Sequence, residues 1–161
     1  MEKQLRKNQN TLIVTGMAVV ALSLWNVIKT FLFIRLDPEN YKELVKTLTG
    51  GSVSQSFTTI FVFSMLGIDF LLRLYVALKA NKEGRGKGNY YFYLIIAGFF
   101  VLTSVISIIY YFEPEYYSVS VSDTFLSVLF DVTSVITVIE LIYSSITVKV
   151  LSHKIKAGGD K

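Results

Sequence analysis

Four stretches of this chain run for roughly the thickness of a bilayer almost without charge, and that pattern limits the fold more than any other feature. A hydrocarbon core needs about 20 consecutive apolar residues in a helix. Asn10 to Ile28 carries no charge, and the apolar pattern continues past Lys29 to Ile34. Thr47 to Ile68 is charge-free and runs on to Leu78, and Gly88 to Phe112 is unbroken. Thr124 to Val150 is strongly apolar but interrupted by Asp131 and Glu140, with Lys149 at its end. The spacing predicts transmembrane helices over about 10–34, 54–79, 90–112 and 123–150. The expected fold is an all-α integral membrane protein, a single membrane domain built as a four-helix bundle.

Composition agrees with lipid as the solvent. Hydrophobic residues make up 52% of the 161 and charged residues 17%, against about 25% charged in soluble domains. The first span is too long for the hydrophobic region of a cleavable signal and has no small-residue cleavage site after it, so it reads as a retained helix.

Lysine and arginine set the expected orientation. Lys3, Arg6 and Lys7 precede the first span, Lys79, Lys82, Arg85 and Lys87 follow the second, and Lys149, Lys154, Lys156 and Lys161 close the chain. Against these eleven, the other side has only Arg35, Lys42 and Lys46. Both termini and the middle loop are expected to be cytoplasmic, in a multi-pass protein of the cell membrane. Tyr90, Tyr91 and Tyr93 at one end of the third span, and Tyr110, Tyr111, Tyr116 and Tyr117 at the other, suit the headgroup level, where an aromatic ring with a hydroxyl is at home. With a net charge of +4 beside apolar spans, anionic headgroups are the expected counter-charge on the cytoplasmic side, and nucleic acid is not an expected partner.

Asp37-Pro38 starts a helix, an acid capping free amides and a proline at the first helical position. Tyr41, Leu44, Val45 and Leu48 follow at helical spacing before Gly50-Gly51 ends the run. A short helix over about 38–49 is expected on the outer membrane surface. The two prolines also sit in matching places: Asp37-Pro38-Glu39-Asn40-Tyr41 after the first span and Glu113-Pro114-Glu115-Tyr116-Tyr117 after the third. Each precedes a span with a deep acid, a pattern that fits either a duplicated hairpin or two independent helix exits.

Apart from Lys79, Asp123 and Lys149 at the span ends, five charged residues fall inside the expected spans: Lys29, Asp69, Arg73, Asp131 and Glu140. A charge near a helix centre costs at least about 2.5–3.5 kcal/mol, so each needs a partner or a route to water. Asp69 and Arg73 are four apart and share a helix face. Depth predicts Lys29 beside Asp131 toward the outside and Arg73 beside Glu140 toward the inside. Around Glu140, residues Thr133, Thr137, Ser144 and Thr147 repeat at 4-3-4-3 spacing, which predicts a helix-packing seam. Gly16, Ser23, Asn26 and Thr30 predict one on the first span, and Ala97, Ser104 and Ser107 a weaker one on the third. The candidate intramembrane polar residues are therefore Asn26, Lys29, Asp69, Arg73, Asp131, Thr137, Glu140 and Ser144.

Nothing here reads as an active site. The absence of cysteine removes disulfides and thiolate metal sites, and the single histidine, His153, lies in the polar tail, so no catalytic, metal or cofactor-binding residue is assigned and no cofactor is expected. Gly84-Arg85-Gly86-Lys87-Gly88 lacks the spacing of a phosphate loop and reads as a basic turn. A voltage sensor needs arginines along its fourth helix, where this chain has acids. The expected function is a non-enzymatic accessory or scaffold subunit, held by buried polar and charged contacts, in a homo-oligomer or a larger membrane complex. The alternative is a proton- or cation-coupled channel or transporter subunit using Glu140 and Asp69.

Overall fold

The computed structural model describes residues 1–50, 54–110 and 121–158. All regular structure in them is helical: α1 (Glu2–Leu36), α2 (Pro38–Thr49), α3 (Gln55–Gly84), α4 (Phe92–Tyr110) and α5 (Val121–Gly158). Four of these are long and apolar enough to cross a membrane. Residues 113–117, where the second acid-proline segment falls, lie outside the described residues, as does 111–112 at the end of the third expected span.

The long helices alternate in direction. Both termini and the α3–α4 turn therefore gather at one end of the bundle, here termed the tail end. α1 packs along α3 on one side and α5 on the other; α4 packs along α5 and more loosely on α3. The cross-section is a ring in the order α1, α3, α4, α5. Its centre holds Leu12, Val19, Val76, Ala80, Tyr93, Ala97, Phe100, Val138 and Leu141. Outside, Val14, Ile60, Leu71, Ile95, Phe99 and Ile136 each expose between 60% and 69% of their surface. A soluble monomer rarely presents so continuous an apolar coat.

Local chemistry explains where the helices stop. Ser54 is extended and its Oγ accepts from the Phe57 amide at 3.3 Å, capping α3. At the other end Gly86 has φ 73°, which lets its amide reach the Glu83 carbonyl at 2.8 Å and the Lys87 amide reach Lys82 at 2.8 Å. α3 thus runs to Gly84, about five residues past the end expected from hydropathy. A Cβ on Gly84 would stand 2.7 Å from Ile13 Cγ1 and 2.8 Å from the Gln9 carbonyl oxygen, so hydrogen at this position is what lets α3 close on α1. The short helix forms as expected over 38–49 and is tied to α3 by Tyr41 Oη and Thr59 Oγ1 at 2.9 Å.

Candidate functional site

The bundle buries two charged clusters on facing helices. The deeper one is centred on Arg73, which is 7% exposed. Its Nε donates to both carboxylate oxygens of Asp69 at 3.1 and 2.9 Å, the intrahelical pair expected from their spacing of four. Its Nη1 donates to Ser134 Oγ on α5 at 3.2 Å, and the guanidinium lies 4.6 Å from the centre of the Phe100 ring on α4. One cation so joins three helices through a carboxylate, a hydroxyl and an aromatic face.

Nearer the tail end lies a more complete cluster around Glu83. The carboxylate is 3% exposed. Lys149 Nζ donates to its two oxygens at 2.8 and 2.9 Å, Ser145 Oγ donates to Oε1 at 2.9 Å, and Tyr93 Oη shares its one proton between Ser145 Oγ at 2.7 Å and Oε2 at 3.1 Å. Lys149 also reaches the Tyr90 carbonyl oxygen at 2.7 Å and Ser145 Oγ at 2.9 Å, and its Nζ stands 4.8 and 5.3 Å from the Tyr91 and Tyr93 rings. Every strong acceptor and donor is used. A buried ion pair persists only when its remaining lone pairs and protons are met in this way.

Toward the opposite end Lys29 donates to Ser127 Oγ on α5. Asp131 lies one turn further along that helix, half-buried. Trp25 stacks on Phe130 at 5.1 Å in the same region. Asn26 is half-buried on the α1 face that carries the buried Ser23 and Gly16, so the seam expected on α1 is present. On α4 Ala97 and Ser104 are buried but Ser107 is exposed.

α5 departs from expectation by one residue. Its buried line is Ser134, Val138, Leu141, Ser145 and Val148, not Thr133, Thr137, Glu140, Ser144 and Thr147. Ser144 is buried, but Thr133 and Glu140 are exposed and Thr137 and Thr147 half-exposed. Arg73 and Glu140 are not brought together. Among the described residues Glu140 has no hydrogen bond or ion pair, while Arg73 is satisfied by Asp69 and Ser134. The threonines need no neighbouring helix: Thr133, Thr137 and Thr147 donate to the carbonyls four residues back at 2.7, 2.8 and 2.9 Å. A hydroxyl that bonds its own backbone can face lipid at little cost, so polarity alone does not mark the inward face.

Glu83, Lys149, Tyr93, Ser145 and Ser134 escaped the sequence reading, which left Glu83 beyond the second span and counted Lys149 with the basic C-terminal end. One signal for them exists. Arg73, Val76, Ala80 and Glu83 repeat at 3-4-3 spacing, and Ser134, Val138, Leu141, Ser145 and Val148 at 4-3-4-3. Two such lines, each with a polar residue at matching intervals, describe facing helices as well as the threonine line does.

The fold and its clusters define the class as an all-helical bundle of membrane-spanning proportions with charges tied off between helices. Compared with known proteins, the chain matches no family model, no curated protein and no solved structure.

Proposed function

We propose that this chain is a non-enzymatic, multi-pass subunit of the cell membrane that serves as an accessory or scaffold component. In this reading the tail end is cytoplasmic and meets anionic headgroups, and α2 lies on the outer surface. The observation that carries it is the Glu83 cluster. Both carboxylate oxygens are consumed by Lys149, Ser145 and Tyr93, so the charges between the helices serve as fasteners and offer no free group to a substrate or ion. Taking such a pair out of water is costly and is repaid only by this close geometry and full set of hydrogen bonds, which a water-filled path would break. A second reading, coupling to protons or cations, draws on the exposure of Glu140 and on the 35% side-chain exposure of Asp69.

Reconstituted vesicles separate the two. The scaffold reading expects no pH-driven proton or cation flux above that of empty vesicles, with or without Glu140→Gln. A robust flux from wild-type protein, abolished by Glu140→Gln while the helices stay folded, would overturn it.

A further inference from the structure

Away from the charged helix ends, Glu140 on α5 and Lys79 on α3 each lie without an ionic counterpart among the described residues. Glu140 is exposed on α5. Lys79 is half-buried on α3, its Nζ 4.2 Å from the Tyr90 ring centre and 5.6 Å from that of Tyr75. Aromatic faces attract a cation but do not neutralise it.

The two sit at the same depth. α3 and α5 run in the same direction, and Arg73 bonds Ser134 across the bundle. Six residues on from Arg73 is Lys79; six on from Ser134 is Glu140. At equal rise per residue both have moved the same distance toward the tail end.

They also lie on opposite edges. Gly84 and Ala77 face α1, whereas Lys79 lies over Tyr90, so it occupies the flank of α3 toward α4. On α5 Lys149 turns toward α4, where it meets the Tyr90 carbonyl. Glu140 is nine residues earlier, half a turn away at about 100° per residue, and so occupies the flank toward α1. In a ring ordered α1, α3, α4, α5, the α5–α1 edge is opposite the α3–α4 edge.

We propose that copies of this chain associate head to tail in the bilayer, the α5 flank carrying Glu140 docking on the α3–α4 edge carrying Lys79 of the next copy. This goes beyond the scaffold reading, since it holds whether or not the assembly transports anything. A same-handed rotation about the membrane normal keeps both groups level, and complementary patches on opposite edges give a heterologous contact that repeats until a ring closes. Within lipid, apolar faces have no hydrophobic drive to meet each other, so a charge pair that neither copy can satisfy alone decides where they meet. A two-fold contact through either edge would instead set Glu140 against Glu140 or Lys79 against Lys79.

The chain has no cysteine, so crosslinking tests the geometry directly. Phe92, 63% exposed beside Tyr75 on the α3–α4 edge, and Tyr143, 67% exposed one turn beyond Glu140, mark the two faces. In vesicles of phosphatidylethanolamine and phosphatidylglycerol, the double variant Phe92→Cys/Tyr143→Cys treated with a flexible bis-maleimide should give a ladder beyond dimer. Neither single variant should give a dimer. Glu140→Lys or Lys79→Glu introduced alone should abolish the ladder, and the two together should restore it, which also shows that each charge reversal is compatible with folding. A dimer from Tyr143→Cys alone, no ladder from the double variant, or a ladder indifferent to charge reversal would each overturn the proposal.

Discussion

Removing the Glu83 charge should be among the most damaging single changes in this bundle, and the structure allows its size to be worked out. In Glu83→Gln the Lys149 ammonium, 11% exposed, keeps the Tyr90 carbonyl, Ser145 and two aromatic faces but loses its counter-ion. Breaking a buried pair by deleting one partner costs about 3–5 kcal/mol, and the retained amide oxygen places this variant at about 3. Lys149→Met is milder, because the carboxylate keeps the Tyr93 and Ser145 hydroxyl donors; about 2 kcal/mol is expected. The double variant should cost about 2 kcal/mol, since an apolar side chain then meets an amide without a stranded charge, giving a coupling of about 3 kcal/mol. Trp25 is the only tryptophan and stacks on Phe130 at 5.1 Å, so its fluorescence reports separation of α1 from α5 during detergent-driven unfolding in mixed micelles. A double variant as unstable as the sum of the singles would refute the claim that the two groups meet in a dry site.

Asp69→Asn leaves the buried Arg73 with Ser134 and Phe100 and should cost about 1–3 kcal/mol, whereas Glu140→Gln, whose carboxylate has no hydrogen bond or ion pair among the described residues, should change the stability of the isolated protomer by less than about 0.5 kcal/mol; chemical unfolding of both checks the contrast. Gly84→Val would drive a side chain into Ile13 and the Gln9 carbonyl, and the same assay should show a loss of about 1–3 kcal/mol by overpacking. For orientation, a cysteine at Asn89 in the α3–α4 turn should resist an impermeant thiol reagent in intact cells while one at Lys42 in α2 reacts; labelling at Asn89 from outside would reverse the topology.

What the sequence made legible follows from which physical rules act in one dimension. Solvation by lipid is such a rule: a long charge-free run is a long apolar helix whatever it packs against, so all four long helices were expected near their observed places. The α2 start at Pro38 was equally local, a matter of one acid and one proline. The Asp69–Arg73 pair needed only helical spacing. Facing surfaces are different. On α5 two lines one residue apart both repeat at helical intervals, and the threonine line looked inward because it is more polar. Its hydroxyls bond their own carbonyls, so burial went to the smaller Ser134 and Ser145 and to Val138 and Leu141, which let α1 and α4 approach. Glu83 was assigned to water because it follows Lys79 and Lys82 past the apolar run, and Lys149 because it opens the basic C-terminal end. Only the register of α3 against α5 shows that each charge has the other to bury against.

The central claim is that the interior of this bundle is dry and closed by its own ion pairs. It is tested most directly by single cysteines placed in turn at Ser134, Val138, Leu141 and Ser145, along the buried line of α5, in reconstituted vesicles exposed to a small hydrophilic thiol reagent. No labelling above that of the cysteine-free chain is expected at any of the four. Rapid labelling at Ser134, Val138 and Leu141 in succession would mean that water follows α5 through the bundle, and would contradict it.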